Sequence, residues 1–552
     1  MRAPLFARLA TLASLATFAA PGTAPAQQSP AAPRPTLIVF ITVDQLRPDY
    51  LSRFAPQLTG GLGRLYRGGA VFTDAYQDHA ITETAPGHAS TLSGRFPRST
   101  GIVTNTAGVY DPQAPLVAAH GAGTNGPPAS PFRFRGSTLT DWLRTADPRS
   151  RALSISRKDR GAILPMGRAK QNVYWYDGDA NVGPAGAPGG AGSPGGFTTS
   201  RYYADTLPTW LNAFNAAHPI AAYAGRVWTP LLDAGAYPEP DSVRAEHGGE
   251  DVAFPHTLPR SPSKVVWELT ATPWMDELTL AAALAGARSL GIGEGPQTDV
   301  LAVSLSTTDA IGHRYGPDSK ELHDQVLRLD RYLGAFLDSI YATHDSTRVV
   351  VALTADHGVA PYPGVATADR ARPAAASFVN AWTLAAPTRA ALAARGVDTA
   401  AFRFADGLLQ VDRAELARAG VNADSAVGAF AAALLRAPGV MRAETMAAMA
   451  RRDTTRDVIA RRWLHMIPPD LDVALVVTAQ PYDPWGDASM ANHGSPHDYD
   501  AHVPVIFYGA PFKPGRYTRM ARVVDMAPTL AAVAGVKPTE TLDGRVLQEA
   551  LK

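Results

Sequence analysis

Three aspartates and three histidines in four short segments supply the ligands a divalent metal site needs. They are Asp44 in "FITVDQLRPDY", Asp309 and His313 in "STTDAIGHRYG", Asp356 and His357 in "TADHG", and His493 in "NHGSPHDYD". This oxygen and nitrogen set suits zinc, with manganese or iron as alternatives. The four-residue spacing of Asp309 and His313 lets both face one ion from a helical turn. Asp356 and His357 follow a β-branched run, where a change of backbone direction frees both side chains. Singly, each residue also has an ordinary structural reading, because Asp caps helices and turns. The recurrence across four segments is what points to metal chemistry.

A metal site needs something to act on, and two further stretches supply candidates. In "TETAPGHASTLSG", Thr84 stands at a helix boundary with Pro86 in the first turn and small residues behind it. A hydroxyl there lies at the positive end of the helix dipole, which favours an anion. A free threonine hydroxyl is a poor nucleophile, and a coordinated metal would lower its pKa. In "SRKDRGAI", Lys158 and Arg160 are two apart, a spacing that sends both heads to one side of an extended or irregular segment. Taken alone, that pair reads more readily as a solvated charge run.

The elements that must hold these residues are legible as alternating patterns. "LIVFITVD" (Leu37 to Asp44) reads as a strand buried on both faces, and the same pattern recurs at Asp299 to Asp309, Arg348 to His357, Leu471 to Gln480 and His502 to Gly509. Ser319 to His344 places Leu322, Val326, Leu329, Leu333, Phe336 and Ile340 at helical spacing, and "VVDMAPTLAAVAG" reads as a shorter helix. The expected fold is α/β, with a large mostly parallel central sheet flanked by helices and carrying inserted cap regions. Ligands of such sheets bind beyond the carboxyl ends of the strands.

One insertion is expected near 158–296, with the Gly/Pro-rich loop "NVGPAGAPGGAGSPGG", and a second near 363–469, Ala/Arg-rich and helical with "FRFADGLLQV" as a possible strand. The N-terminus has Arg2 and Arg8, an apolar Leu9 to Ala20 run and the small-residue site Ala24-Pro25-Ala26, which reads as a signal peptide over 1–26 followed by a Pro-rich tether over 27–36. An exported protein, periplasmic or secreted, is expected. Basic and acidic residues number 51 and 50, which offers no bulk footprint for nucleic acid or a membrane surface. With no cysteine, thiol nucleophiles and disulfides are excluded.

Taken together, "VDQLRPDY", "TETAPGHASTLSG…TGIVTN", "SRKDRGAI", "STTDAIGHRYG", "TADHG" and "NHGSPHDYDAHVPVIFYG" resemble the alkaline phosphatase superfamily, and most nearly its phosphate-irrepressible, threonine-using bacterial phosphatases. The likeness runs from about Leu37 to the C-terminus. It implies an alkaline phosphatase, a phosphoric monoester hydrolase with two Zn2+ per chain and a phosphothreonine intermediate. By the same resemblance Asp309, His313 and His493 match the ligands of one ion, and Asp44, Asp356, His357 and Thr84 those of the other. Thr84 matches the nucleophile, and Asn105, Lys158 and Arg160 match phosphate contacts. The expected partners are small-molecule phosphate monoesters.

The alternatives are a phosphodiesterase or nucleotide pyrophosphatase of the same superfamily, against which the Lys158 and Arg160 clamp argues, and a zinc- or phosphate-binding protein without catalysis. A sulfatase fits less well, since Thr84 stands where a modified Cys or Ser is usual. His88, His497, Asp500 and His502 are candidates for supporting the ligands.

Overall fold

The computed structural model describes Met1 and residues 33–106, 108–118, 126–178, 195–362, 380–483 and 491–552. The expected signal peptide and the Gly/Pro loop over 179–194 lie outside the described residues. In chain order the strands of the main sheet are β1 Leu37–Val43, β2 Ala70–Phe72, β3 Ala152–Ser156, β4 Asn172–Tyr176, β5 Phe197–Thr198, β6 Asp299–Leu305, β7 Val349–Thr354, β8 Val505–Tyr508 and β9 Gly515–Tyr517. They form one nine-stranded sheet ordered β9-β2-β8-β7-β1-β6-β3-β4-β5. Only β8 and β5 run against the rest.

Every residue of β1 is buried, as a β-branched run covered on both faces requires. The registers explain why chemistry gathers at one edge. Thr42 in β1 lies opposite Thr354 in β7 and Ser304 in β6, and Ser304 lies opposite Ser156 in β3. Four neighbouring parallel strands therefore end level. The chain then delivers Asp44, Asp356, Asp309 and Lys158 within a few residues of those ends.

The flanking helices include α1 Thr84–Thr91, α2 Asp159–Ile163, α3 Trp274–Leu290, α4 Thr307–Tyr315, α5 Lys320–Tyr341 and α6 Val458–Met466. In α5 the six apolar positions expected from spacing are all buried, and Ser319 caps the start by accepting from the Leu322 N–H. The "VVDMAPTLAAVAG" run forms a helix over Met526–Ala534 that closes on Gly535 in the left-handed region.

Two expectations need correction. Leu475–Ala479 is a buried strand, but it pairs outside the main sheet, in a four-stranded sheet with Phe402–Ala405, Leu408–Val411 and Val440–Glu444. A uniformly apolar run satisfies any two-sided burial, and here its cover is a separate core built on Phe402, Phe430 and Leu475. The 158–296 stretch is not all insertion either, because β4 and β5 extend the main sheet from within it. No described helix is long and apolar enough to cross a membrane.

Candidate active site

Two ligand groups stand side by side past the strand ends. Asp309, His313 and His493 present donor atoms within 4.8 Å of one another, and so do Asp44, His88 and Asp356. His357 adjoins both groups, its Nε2 lying 3.3 Å from Asp356 Oδ2 and 3.9 Å from Asp309 Oδ1. All six residues selected from the sequence are thus brought together, and His88 joins them.

The hydrogen bonds of the imidazoles show what these groups are for. The Nδ1 of His313 bonds the Ala491 carbonyl at 2.7 Å, that of His493 the Thr82 carbonyl at 2.8 Å, and that of His357 the Gly358 carbonyl at 2.9 Å. Each carbonyl demands a proton on Nδ1, so in the neutral ring the Nε2 lone pair is exposed. Those lone pairs face carboxylates, with Nε2 of His313 and His493 lying 3.2 and 3.7 Å from Asp309 Oδ1. Lone pair against carboxylate is repulsive unless a proton or a metal cation lies between; Asp309 favours a proton on His313, whereas burial keeps His357 and His493 neutral, and there a metal cation fits the contact. The donor set fits divalent cations. His88 differs: Nδ1 bonds the Thr84 carbonyl at 3.0 Å and Nε2 the Ser304 hydroxyl at 3.1 Å. With both nitrogens engaged it orders the Asp44 group, whereas His357 keeps a lone pair to offer.

Thr84 opens α1, and Thr84 Oγ1 lies 3.3 Å from Lys158 Nζ and 3.5 Å from His357 Nε2. Lys158 Nζ also lies 2.6 Å from Asp309 Oδ2 and 3.0 Å from Asp44 Oδ2, joining the two groups to the hydroxyl. The solvated reading of "SRKDRGAI" fails, since Lys158 is 1% and Arg160 4% exposed. Nor is the segment extended: Lys158 precedes α2 and Arg160 sits in its first turn. Asn105 Oδ1 accepts from the Ala85 N–H at 2.8 Å, and the Asn105 backbone N–H donates to Glu83 Oε2 at 2.6 Å.

The chain has relatives. Residues 38–422 match the family described as type I phosphodiesterase / nucleotide pyrophosphatase. The chain belongs to that family. Alkaline phosphatase PhoV of Synechococcus elongatus is 29% identical, covering 94% of this chain and 93% of its own. Alkaline phosphatase PhoK of Sphingomonas sp is 30% identical over 94% and 92%, and alkaline phosphatase PafA of Elizabethkingia meningoseptica 28% over 95% and 96%. The crystal structure of PafA superposes with a TM-score of 0.82 at 26% identity, covering 95% of this chain and 100% of that one. The alkaline-phosphatase-like fold and the superfamily expected from the motifs are both borne out.

Charge in this superfamily member is distributed unevenly across the two groups. Burial opposes ionisation of Asp309, but Lys158 and His313 hold its carboxyl well below the usual range. Asp44 is likewise held low against burial, by Lys158 and His88. Burial and the neighbouring Asp44 charge push Asp356 up to about 7. Burial lowers His357 to about 4, which keeps its ring neutral. Three supports escaped the sequence reading. Ser304 bonds both His88 and Asp44, the latter at 3.1 Å. Glu83 anchors Asn105, and Gln45 touches both groups. Adjacency to Asp44 and Thr84 was the available signal for Gln45 and Glu83.

Of the supporting candidates, Asp500 accepts from the N–H and hydroxyl of Ser495 at 2.9 and 2.6 Å and so orders the loop after His493. His497 secures that loop on the Ala479 carbonyl at 2.9 Å. His502 bonds the Thr73 carbonyl at 3.0 Å and stacks on Tyr76, a structural role.

Proposed function

We propose that this protein is an exported alkaline phosphatase that hydrolyses phosphate monoesters through a phosphothreonine at Thr84, with two zinc ions held by Asp309, His313 and His493 and by Asp44, Asp356, His357 and Thr84. The observation that carries the reading is the position of Thr84 Oγ1, at the start of a helix, beside His357 and against Lys158 Nζ, which itself contacts a carboxylate of each ligand group. Bound zinc would supply Lewis-acid charge that favours the threonine alkoxide and offsets charge building on the transferred group.

The chain's own residues do the rest. The N-terminus of α1 offers positive potential to the phosphoryl oxygens. Lys158 adds a fixed cation at the nucleophile, and Arg160 and the Asn105 amide supply further donors. Attack by Thr84 Oγ1 forms the new P–O bond as the bond to the leaving alcohol breaks; water then cleaves the phosphothreonine, releasing inorganic phosphate and restoring the hydroxyl. Because the transition state spreads charge over three non-bridging oxygens, positioning and electrostatics dominate. Named full-length relatives that are alkaline phosphatases support this substrate class.

Thr84→Ala should abolish turnover of an aryl phosphate while metal content is retained, and Thr84→Ser should keep part of it. Near-full activity of Thr84→Ala with metals bound would sink the reading. The family description favours a second reading, diester cleavage. A monoester offers three non-bridging oxygens to Lys158 and Arg160 where a diester offers two, so an aryl phosphate should be cleaved far faster than its methyl diester. N-terminal sequencing of the mature protein, with a start near residue 27, tests export.

A further inference from the structure

Gln45 stands at the seam between the two ligand groups. Its backbone N–H donates to Asp356 Oδ1 at 3.0 Å, and its side-chain Nε2 donates to Asp309 Oδ1 at 3.0 Å. One residue, fully buried, therefore holds a carboxylate from each group. It does so from φ +65°, in the left-handed region that non-glycine residues seldom enter. Such a conformation persists only where the surroundings enforce it, and it recurs at functional sites. The amide orientation is fixed by chemistry, because the opposite one would set an amide oxygen against the Asp309 carboxylate.

With Nε2 on Asp309, Gln45 Oε1 is directed at Gly312, the residue before His313. A Cβ at Gly312 would lie 1.8 Å from Gln45 Oε1 and 3.0 Å from Gln45 Cδ, and its three nearest neighbours would all be atoms of Gln45. Glycine inside a helix is unfavourable by itself. In α4 it makes the gap that admits the amide.

We propose that Gln45 and Gly312 form a peg and socket that sets the two ligand groups relative to each other. Gln45 is a positioning residue: it orients the Asp309 and Asp356 carboxylates, and Gly312 is small because the peg must pass. This rests on the two-metal reading given above and adds to it a device that couples the sites.

Gln45→Gly tolerates the left-handed backbone and keeps the N–H bond to Asp356, so it removes only the Nε2 bond to Asp309. Gly312→Ala leaves Gln45 in place but drives its amide out. Each should weaken the Asp309, His313 and His493 group for zinc by about 10–100-fold, the usual consequence of losing a ligand's hydrogen-bond partner. Competition against a chromogenic chelator reads this directly, and the visible spectrum of the cobalt-substituted protein reports the changed ligand field. The double variant Gln45→Gly/Gly312→Ala should bind no worse than Gln45→Gly alone, since the alanine methyl then enters vacated space.

Should Gln45→Gly be too unstable to purify, Gln45→Asn, also tolerant of the backbone but one methylene short, should show the same selective loss. Wild-type affinity and cobalt spectrum in these single variants, or additive losses in the double variant, would overturn the peg and socket. A folded wild-type chain that takes up no metal would instead overturn the two-metal reading and this inference with it.

Discussion

Lys158 and Asp309 form a nearly solvent-free ion pair, Nζ to Oδ2 2.6 Å, with side-chain exposures of 2% and 7%. The same ammonium lies 3.0 Å from Asp44 Oδ2, so one lysine faces a carboxylate of each ligand group. Removing it leaves buried carboxylates without that counter-charge, which typically costs about 3–5 kcal/mol. Metal ions would restore positive charge at the same place. Lys158→Ala should therefore melt well below the wild type after chelation, and the gap should narrow when zinc is returned. Turnover should stay depressed in the reconstituted variant, by about 10²–10³-fold if Lys158 serves the phosphoryl group as a single oxyanion donor does. Thermal denaturation with and without zinc, beside initial rates on an aryl phosphate, separates the two effects.

Gly87 lets α1 approach the end of β7. A Cβ there would fall 2.3 Å from the Asp356 carbonyl oxygen and 2.8 Å from Asp356 Cβ. Alanine improves helix propensity by about 1 kcal/mol, but forced overpacking costs about 1–3 kcal/mol. Gly87→Ala should thus lower the melting temperature. It should also lose turnover out of proportion to that change, because a displacement of about 1 Å between nucleophile and metal ligands costs on the order of 10²-fold in rate. A variant that keeps wild-type kcat would show that Thr84 tolerates the displacement.

The three aspartates were legible because each follows an unmistakable buried run: "LIVFITV" leads to Asp44, "DVLAVSL" to Asp309 and "VVVALT" to Asp356, and level strand ends do the rest. Lys158 was only half legible. Its spacing from Arg160 suggested an anion clamp, but the contact with Asp44 depends on β3 ending level with β6, which no local pattern encodes. The run Leu471 to Gln480 contains the strand Leu475–Ala479, but apolar composition does not name a partner sheet. The grip on Asp78 was invisible, since its partners Arg461 and Arg522 lie 383 and 444 positions away.

Asp78 is buried in the loop that leads to Thr84 and accepts from Arg461 Nε at 3.0 Å and Arg522 Nε at 2.8 Å, with Arg462 Nε at 3.4 Å. It ties the nucleophile loop to α6 and to the C-terminal region. Burial alone would raise its pKa, but His465 and Arg461 hold it far below the carboxylate range. A depressed folded value contributes stability above the unfolded pKa near 3.9, and that stability is lost as pH falls through the folded value. Asp78→Asn should cost about 3–5 kcal/mol at neutral pH by stranding the guanidinium groups. Its melting temperature should also fall less steeply than the wild type's below about pH 4. Equal steepness would place the acid sensitivity elsewhere.

Glu246 gives the opposite slope. Burial, with Glu321 and Asp241 adding like charge, pushes its carboxyl up to about 9. Glu321 is itself raised by burial, although His256 Nε2 bonds it at 3.0 Å, and Lys320 pairs with Asp241 at 3.1 Å. An unfolded glutamate releases its proton near pH 4.3. Between there and about 9 the unfolded state binds fewer protons than the folded one, so stability declines as pH rises through that window. Glu246→Gln presents a neutral group at every pH and should remove this contribution. Its melting temperature should fall less than the wild type's between about pH 5 and 9, the range over which the two carboxyl pKa values differ. Parallel curves would mean that Glu246 is ionised in the folded protein, balanced by the cations around it.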